Sequence, residues 1–302
     1  MPFNHILVAV HPDPKETTAP NRAAAIARHC DATLHLHMVL WKPNLARDLF
    51  HLSDEGKADQ EELLQQGAAR LANIREELDV PVETAQVHWG HPFHEPLLEV
   101  VEAEQPDLVV LATTRDDHPS TSEWHLIRGC RTPLFVCHHH DWNDPPRTLA
   151  CVDPRHAHDK DSSVDREILA LAERLGASLK QPYELLHAAG MTPMGKGDQP
   201  YTYQYRAKHD GENEAAIREL LPPSKADEVP MHFSHSTPVE AIRPFVKERR
   251  FDICVLGLIN RSRWKELLIG STPRDLIPTM NCDLLLVPHP SATWVSMDPE
   301  NP

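Results

Sequence analysis

The stretch best suited by residue type to hold an anion is Leu256-Gly-Leu-Ile-Asn-Arg-Ser-Arg-Trp-Lys-Glu-Leu-Leu-Ile-Gly-Ser-Thr-Pro273. It leaves an apolar run and ends where a helix is expected to begin. Gly257, at the end of the run, has no Cβ to keep backbone N–H groups away from a phosphate. Gly270-Ser271-Thr272 sets small donors where a helix N-terminus favours negative charge, and Ser271 or Thr272 can cap that helix.

Other constellations compete with this one. His88-Trp-Gly-His91 has the letters of the HxGH signature of nucleotidylyltransferases, in which two imidazoles stabilise charge on transferring phosphates. In those enzymes the motif follows the first strand, whereas here it follows the third apolar run. A second version, His232-Phe-Ser-His235, sits equally late in the other half of the chain. A pair of turn histidines carried along by duplication is the better reading. His88, His91 and His94 lie close together, and Cys137-His-His-His-Asp141 precedes His156 and His158, but with no CxxC pair no metal ligands are assigned. Cys137 is the foremost reactive-thiol candidate, although an inert strand-end cysteine is favoured. There is no Gly-x-Ser-x-Gly elbow, so no catalytic residues are assigned.

These motifs must be positioned by a repeated framework. Leu7-Val-Ala-Val-His-Pro-Asp13 matches Leu149-Ala-Cys-Val-Asp-Pro-Arg155, and Asp107-Leu-Val-Val-Leu111 matches Asp252-Ile-Cys-Val-Leu256. The two HxxH segments fall between these, and Cys130-Arg-Thr-Pro-Leu-Phe-Val136 corresponds to Cys282-Asp-Leu-Leu-Leu-Val287. Four matches in one order indicate a duplication. Apolar runs at 5–10, 33–40, 82–88, 107–112 and 133–137 alternate with helical periodicity at 17–30, 57–78 and 93–104, and Ser120–His125 leads into a last helix. The second half repeats this with runs near 147–152, 184–189, 229–234, 252–257 and 283–287, and helices near 163–176, 209–221, 237–249 and 272–280. Continuous apolar runs alternating with helices predict an α/β chain whose parallel sheets are buried on both faces. The expected division is 1–142, 146–290 and a tail at 291–302, with Pro145-Pro146 at the junction. The loop Gly190–Pro200 is a candidate cover for a pocket, and Trp264–Ile269 a lid over the sheet edge.

A length of 302 residues suits two domains of about 150. With 30 Lys and Arg against 45 Asp and Glu, the net charge of −15 repels phosphate backbones and anionic membranes, so neither nucleic acid nor membrane is an expected partner. No stretch approaches the roughly 20 apolar residues of a membrane span, and no signal peptide precedes the first apolar run. The six cysteines are widely spaced, as suits reduced core residues in a cytoplasmic protein.

The glycine segment resembles that of the universal stress protein family, whose nucleotide-binding members carry Gly, two residues, Gly, nine residues, Gly and then Ser or Thr. Gly257, Gly270 and Ser271 stand at matching positions, and Asn260 replaces the middle glycine. Asn tolerates positive φ, so the turn can still form. The family's strand-end aspartate, which contacts the nucleoside, is matched by Asp153. In the first half His11 replaces that acid and Ala112-Thr-Thr-Arg-Asp116 replaces the glycine turn, so a family-type site is not expected there. A degenerate half beside a better-kept one is similar to the tandem branch of the family, as are Glu123–Cys130 and Gly90-His-Pro-Phe93.

The resemblance implies two Rossmann-like domains, each a five-stranded parallel sheet with helices on both faces, joined through their last strands across a pseudo-twofold. It also implies a stress-response sensor that binds ATP or a related adenine nucleotide with Mg²⁺. Asp153 would lie on the nucleoside, and Gly257, Asn260, Gly270, Ser271 and Thr272 around the phosphates. Homodimerisation and an unknown regulatory protein partner are compatible with it. The alternative is a nucleotide-independent scaffold or sensor for another small molecule or a partner protein, and below it stands a metal-binding or nucleotidyl-transfer protein.

Overall fold

The computed structural model describes residues 2–42, 54–113, 119–154, 162–188, 203–258 and 271–289. Asn260, Gly270, the Gly190–Pro200 and Trp264–Ile269 loops, His156, His158 and the tail at 291–302 lie outside the described residues, as does the side chain of Ser271.

The first half runs β1 (His5–Ala9), α1 (Thr18–Ala27), β2 (Thr33–Leu40), α2 (Asp54–Glu77), β3 (Val82–Trp89), α3 (His94–Glu104), β4 (Leu108–Ala112), α4 (Thr121–Gly129) and β5 (Leu134–Cys137). The second runs β6 (Thr148–Cys151), α5 (Ser163–Leu179), β7 (Tyr183–Ala188), α6 (Tyr203–Leu220), β8 (Met231–Ser234), α7 (Pro238–Arg249), β9 (Ile253–Leu258), α8 (Ser271–Leu276) and β10 (Asp283–Pro288), with a 3-10 turn at Ile277–Thr279 after α8. The helix before β10 starts at Ser271, so Thr272 lies inside its first turn and is not its cap.

All ten strands join one sheet in the order β3-β2-β1-β4-β5-β10-β9-β6-β7-β8. Within each half neighbouring strands are parallel, as expected where each connection returns over the sheet. The halves meet where β5 and β10 pair antiparallel, Leu285 opposite Phe135.

The central strands are apolar because the sheet is covered on both sides there, whereas the edge strands β3 and β8 are only partly buried and carry polar residues. One core is filled by α1, α2, α5 and α6 against Ile6, Val8, Leu34, Leu36 and Leu108. The other is filled by α3, α4, α7 and the residues around α8 against Leu7, Val109, Leu111, Cys254 and Leu286. Each core continues from one half into the other. α4 begins with a capping box in which Ser120 Oγ accepts the Glu123 N–H at 3.3 Å, satisfying a helix-end donor that would otherwise be unpaired.

α5 ends tightly. Lys180 takes the left-handed conformation at φ 53°, and Gln181 N–H returns to Gly176 O at 2.9 Å. A Cβ on Gly176 would lie 2.7 Å from the backbone oxygen of Gln181. Gly176→Ala is therefore expected to destabilise the protein by about 1–3 kcal/mol, despite a helix-propensity gain of about 1 kcal/mol. Urea unfolding checks this, and a stabilised variant would show that the turn moves aside freely.

Candidate functional site

In each half the strand order reverses beside the first strand, between β1 and β4 and between β6 and β9. Open α/β sheets bind ligands outside the strand carboxyl ends at such a point. In the second half β6 and β9 are direct neighbours, Ala150 opposite Val255. Asp153 follows β6, half-buried, and Gly257 is the penultimate residue of β9, opposite Val287 of β10. Thr272, half-buried, stands in the first turn of α8, which packs on β9.

The turn carrying Asp153 is fixed by side chains. Buried Asp165, in the first turn of α5, accepts the Asp153 N–H at 2.9 Å. Ser162 Oγ donates to Pro154 O at 3.2 Å. From the neighbouring strand, buried His187 lies with Nδ1 2.9 Å from Val152 O. A carbonyl can only accept, so Nδ1 of His187 is the donor. Asp165 and His187 were not singled out from the sequence. The available signal was a histidine interrupting the apolar run Leu185-Leu-His187.

The corresponding place in the first half holds its own side chains. His11 Nδ1 accepts the Asp13 N–H at 3.1 Å. His139 Nε2 lies 2.6 Å from the Glu16 carboxylate, and Arg70 donates to Glu16 O at 2.9 Å. Burial raises the Glu16 carboxyl, but hydrogen bonds from Thr18 and His139 outweigh it and leave the group below its ordinary range.

The sequence-neighbouring histidines disperse. His88 lies 3.0 Å from His37, His91 stacks on Trp41 at 3.8 Å, and His94 stacks on His125 at 4.7 Å. His88 and His91 thus address different partners, as two-imidazole phosphate chemistry would not require. The His138–His140 run is a joint between the halves. His138 N–H donates to Asp283 Oδ1 at 2.8 Å and His138 Nε2 meets Ile277 O at 3.0 Å. Arg22 donates to Asp283 at 2.9 Å and to the His140 carbonyl. Cys137 is fully buried, and burial together with the Asp283 carboxylate pushes its thiol well above the usual range, which fits the inert reading. All six cysteines are free. Among the described residues no helix is long and apolar enough to cross a membrane.

Two doubly wound Rossmann-like halves, fused through antiparallel last strands and each with a switch point beside its first strand, define a tandem α/β protein. The universal stress protein family model matches residues 2–138 and again 149–288, and the chain belongs to that family. It is 24% identical to universal stress protein E of Salmonella typhi over 99% of both chains. The fold is similar to that of a functionally unknown protein of Pseudomonas aeruginosa PAO1, with a TM-score of 0.69 at 20% identity over 95% of this chain and 93% of that one. A universal stress protein of Archaeoglobus fulgidus is similar at a TM-score of 0.56 and 15% identity, over 95% and 96%.

Proposed function

We propose that the chain is a cytoplasmic stress-response sensor that takes up ATP or a related adenine nucleotide, accompanied by Mg²⁺, in the crevice of its second half, without efficient hydrolysis. The observation that supports this most is the placement of Asp153 and Gly257 at the ends of the adjacent strands β6 and β9. The described part of the crevice fits such a ligand. The Asp153 carboxylate stands on a turn held by Asp165 and Ser162 and can accept from nucleoside hydroxyls, and Gly257 leaves the backbone open to phosphate. Asn260, Gly270, Ser271 and Thr272 would complete the phosphate cradle. The family's regulatory role would pass through a protein partner, and any homodimer would need a surface other than β5 and β10, which already pair with each other.

Asn260 in place of glycine favours a second reading, a nucleotide-independent sensor. So does a cleft of about 500 Å³ beside the joint, lined in part by Arg243, Lys247 and Arg250. Calorimetric titration of ATP and Mg²⁺ into the full chain separates the two readings. The first expects saturable binding, weakened at least about tenfold in Gly270→Val, whose side chain would occupy the phosphate approach. Well-folded wild type that takes up no ATP would overturn it in favour of the second.

A further inference from the structure

The sheet face beneath α3 is polar where it should be apolar. His35 and His37 on β2 share the face of Leu7 and Ala9 on β1, and His5 opens β1 on that same face. Thr84 and His88 on β3 continue it. Glu104, the last residue of α3, reaches in from above. Its Oε2 lies 3.3 Å from His5 Nε2 and 3.3 Å from His35 Nδ1, and the three atoms lie within 4.8 Å of one another.

Two of the three ligand-atom separations match the edge of a coordination tetrahedron. With Zn–N and Zn–O bonds near 2.0–2.1 Å, adjacent ligand atoms stand about 3.3–3.4 Å apart. As hydrogen bonds the contacts are poor: His5 Nε2 and Glu104 Oε2 are shielded from solvent, yet neither makes a well-formed hydrogen bond. Leaving such atoms unmatched is costly, and native proteins rarely do so without a reason. The rings of His5 and His35 lie with centroids 3.8 Å apart, so protonating both would set two like charges against each other.

The surrounding groups are those that orient ligands. His35 Nε2 lies 3.5 Å from the Glu83 carboxylate, the usual partner for the free nitrogen of a metal-bound imidazole. Glu104 Oε1 lies 3.3 Å from His37 Nε2, and His37 is held in turn by His88. Thr84 Oγ1, 3.1 Å from His35 Nδ1, is the hydroxyl a cation would displace. The His5 and Glu104 side chains are 26% and 23% exposed, so the cluster lies just beneath the surface.

We propose that His5, His35 and Glu104 form a site for one Zn²⁺ or similar borderline divalent cation, with water in the fourth position. The ligands come from β1, β2 and the end of α3, so the ion would tie three elements of the first half together. The site stands at the start of β1, away from the strand carboxyl ends, and does not rest on the nucleotide reading.

The test uses the full chain, stripped with a chelator and titrated with Zn²⁺ against a chromophoric competitor. One tight equivalent is expected in wild type. His5→Gln and Glu104→Gln should weaken it by roughly 100-fold or more and Glu83→Gln by about 10-fold, while His29→Gln, an exposed histidine elsewhere, leaves it unchanged. X-ray absorption of the zinc-loaded wild type should show nitrogen and oxygen ligands with two imidazoles. That spectrum and Glu83→Gln decide the matter if a ligand variant fails to fold. No tight zinc in wild type, affinity unchanged in both ligand variants, or sulfur in the metal's ligand set would each overturn the site and leave a plain histidine–carboxylate network.

Discussion

Asp283→Ala is expected to lower the unfolding free energy by about 3–5 kcal/mol, the cost of removing one partner from a buried charged pair. The carboxylate is completely buried and receives Arg22 Nε at 2.9 Å, Trp142 Nε1 at 2.7 Å and the His138 N–H at 2.8 Å. Arg22 also lies over the Trp142 ring, 4.2 Å from its centroid. Truncation leaves a guanidinium and two N–H donors without their acceptor at the point where the two halves join. The damage follows from the orphaned partners, so Arg22→Met combined with Asp283→Leu should recover part of the loss. Urea unfolding of the single and double variants checks both statements. A cost for Asp283→Ala below about 1 kcal/mol would mean that the pair is solvated like a surface ion pair.

The second large effect is acid lability through His94. His94 is the first residue of α3, and its side chain is buried with Nδ1 unpaired. Burial, followed by the neighbouring His125 and His91, pushes it down to about 4. An unfolded histidine titrates near about 6.5, so between these values the unfolded chain binds the extra proton. The contribution of His94 to stability is thus complete above pH about 6.5 and is lost as pH falls through about 4. The full shift corresponds to about 3 kcal/mol, and residual solvent access brings the expectation to about 2–3 kcal/mol. His94→Gln should therefore be less acid-sensitive, with the stability gap between wild type and variant moving by that amount between pH 7 and the acid limb. A gap that stays constant with pH would show that His94 titrates normally in the folded protein.

Much of the framework was legible in the chain itself. Ten apolar runs became ten strands because the central ones, β1, β4, β5, β9 and β10, are buried on both faces, so their side chains have no reason to alternate with polar ones. The duplication was readable because strand ends such as Asp107 and Asp252 do the same work in each half. Asp107 accepts the Asn4 N–H at 3.0 Å, and Asp252 accepts the Arg147 N–H at 2.7 Å. What stayed hidden depends on long-range convergence. The histidines after Cys137 read as a metal-like cluster because they adjoin in sequence, yet their partners are Glu16, Ile277 and Asp283. His5, His35 and Glu104 carry no recognisable spacing, since β1, β2 and α3 meet only after the sheet has formed. His187 was hidden inside a run that reads as core. Its role appears only when β7 lies beside β6 and brings Nδ1 to the Val152 carbonyl.

The antiparallel pairing of β5 with β10 reverses strand direction at the middle of the sheet, so the two crevices open toward opposite ends of the molecule. A dimer of identical chains joined in this way must present the same residues on both sides of its axis. Fusion lifts that requirement. The residue after the cysteine that leads into the last strand is Arg131 in one half and Asp283 in the other, and only the second is the buried anchor for Arg22. Because the halves are covalently linked, the joint does not loosen on dilution as a dimer would. Each half was thereby free to change independently of the other. His11 stands in the first half where the second has Asp153, a difference that a dimer of identical chains could not carry.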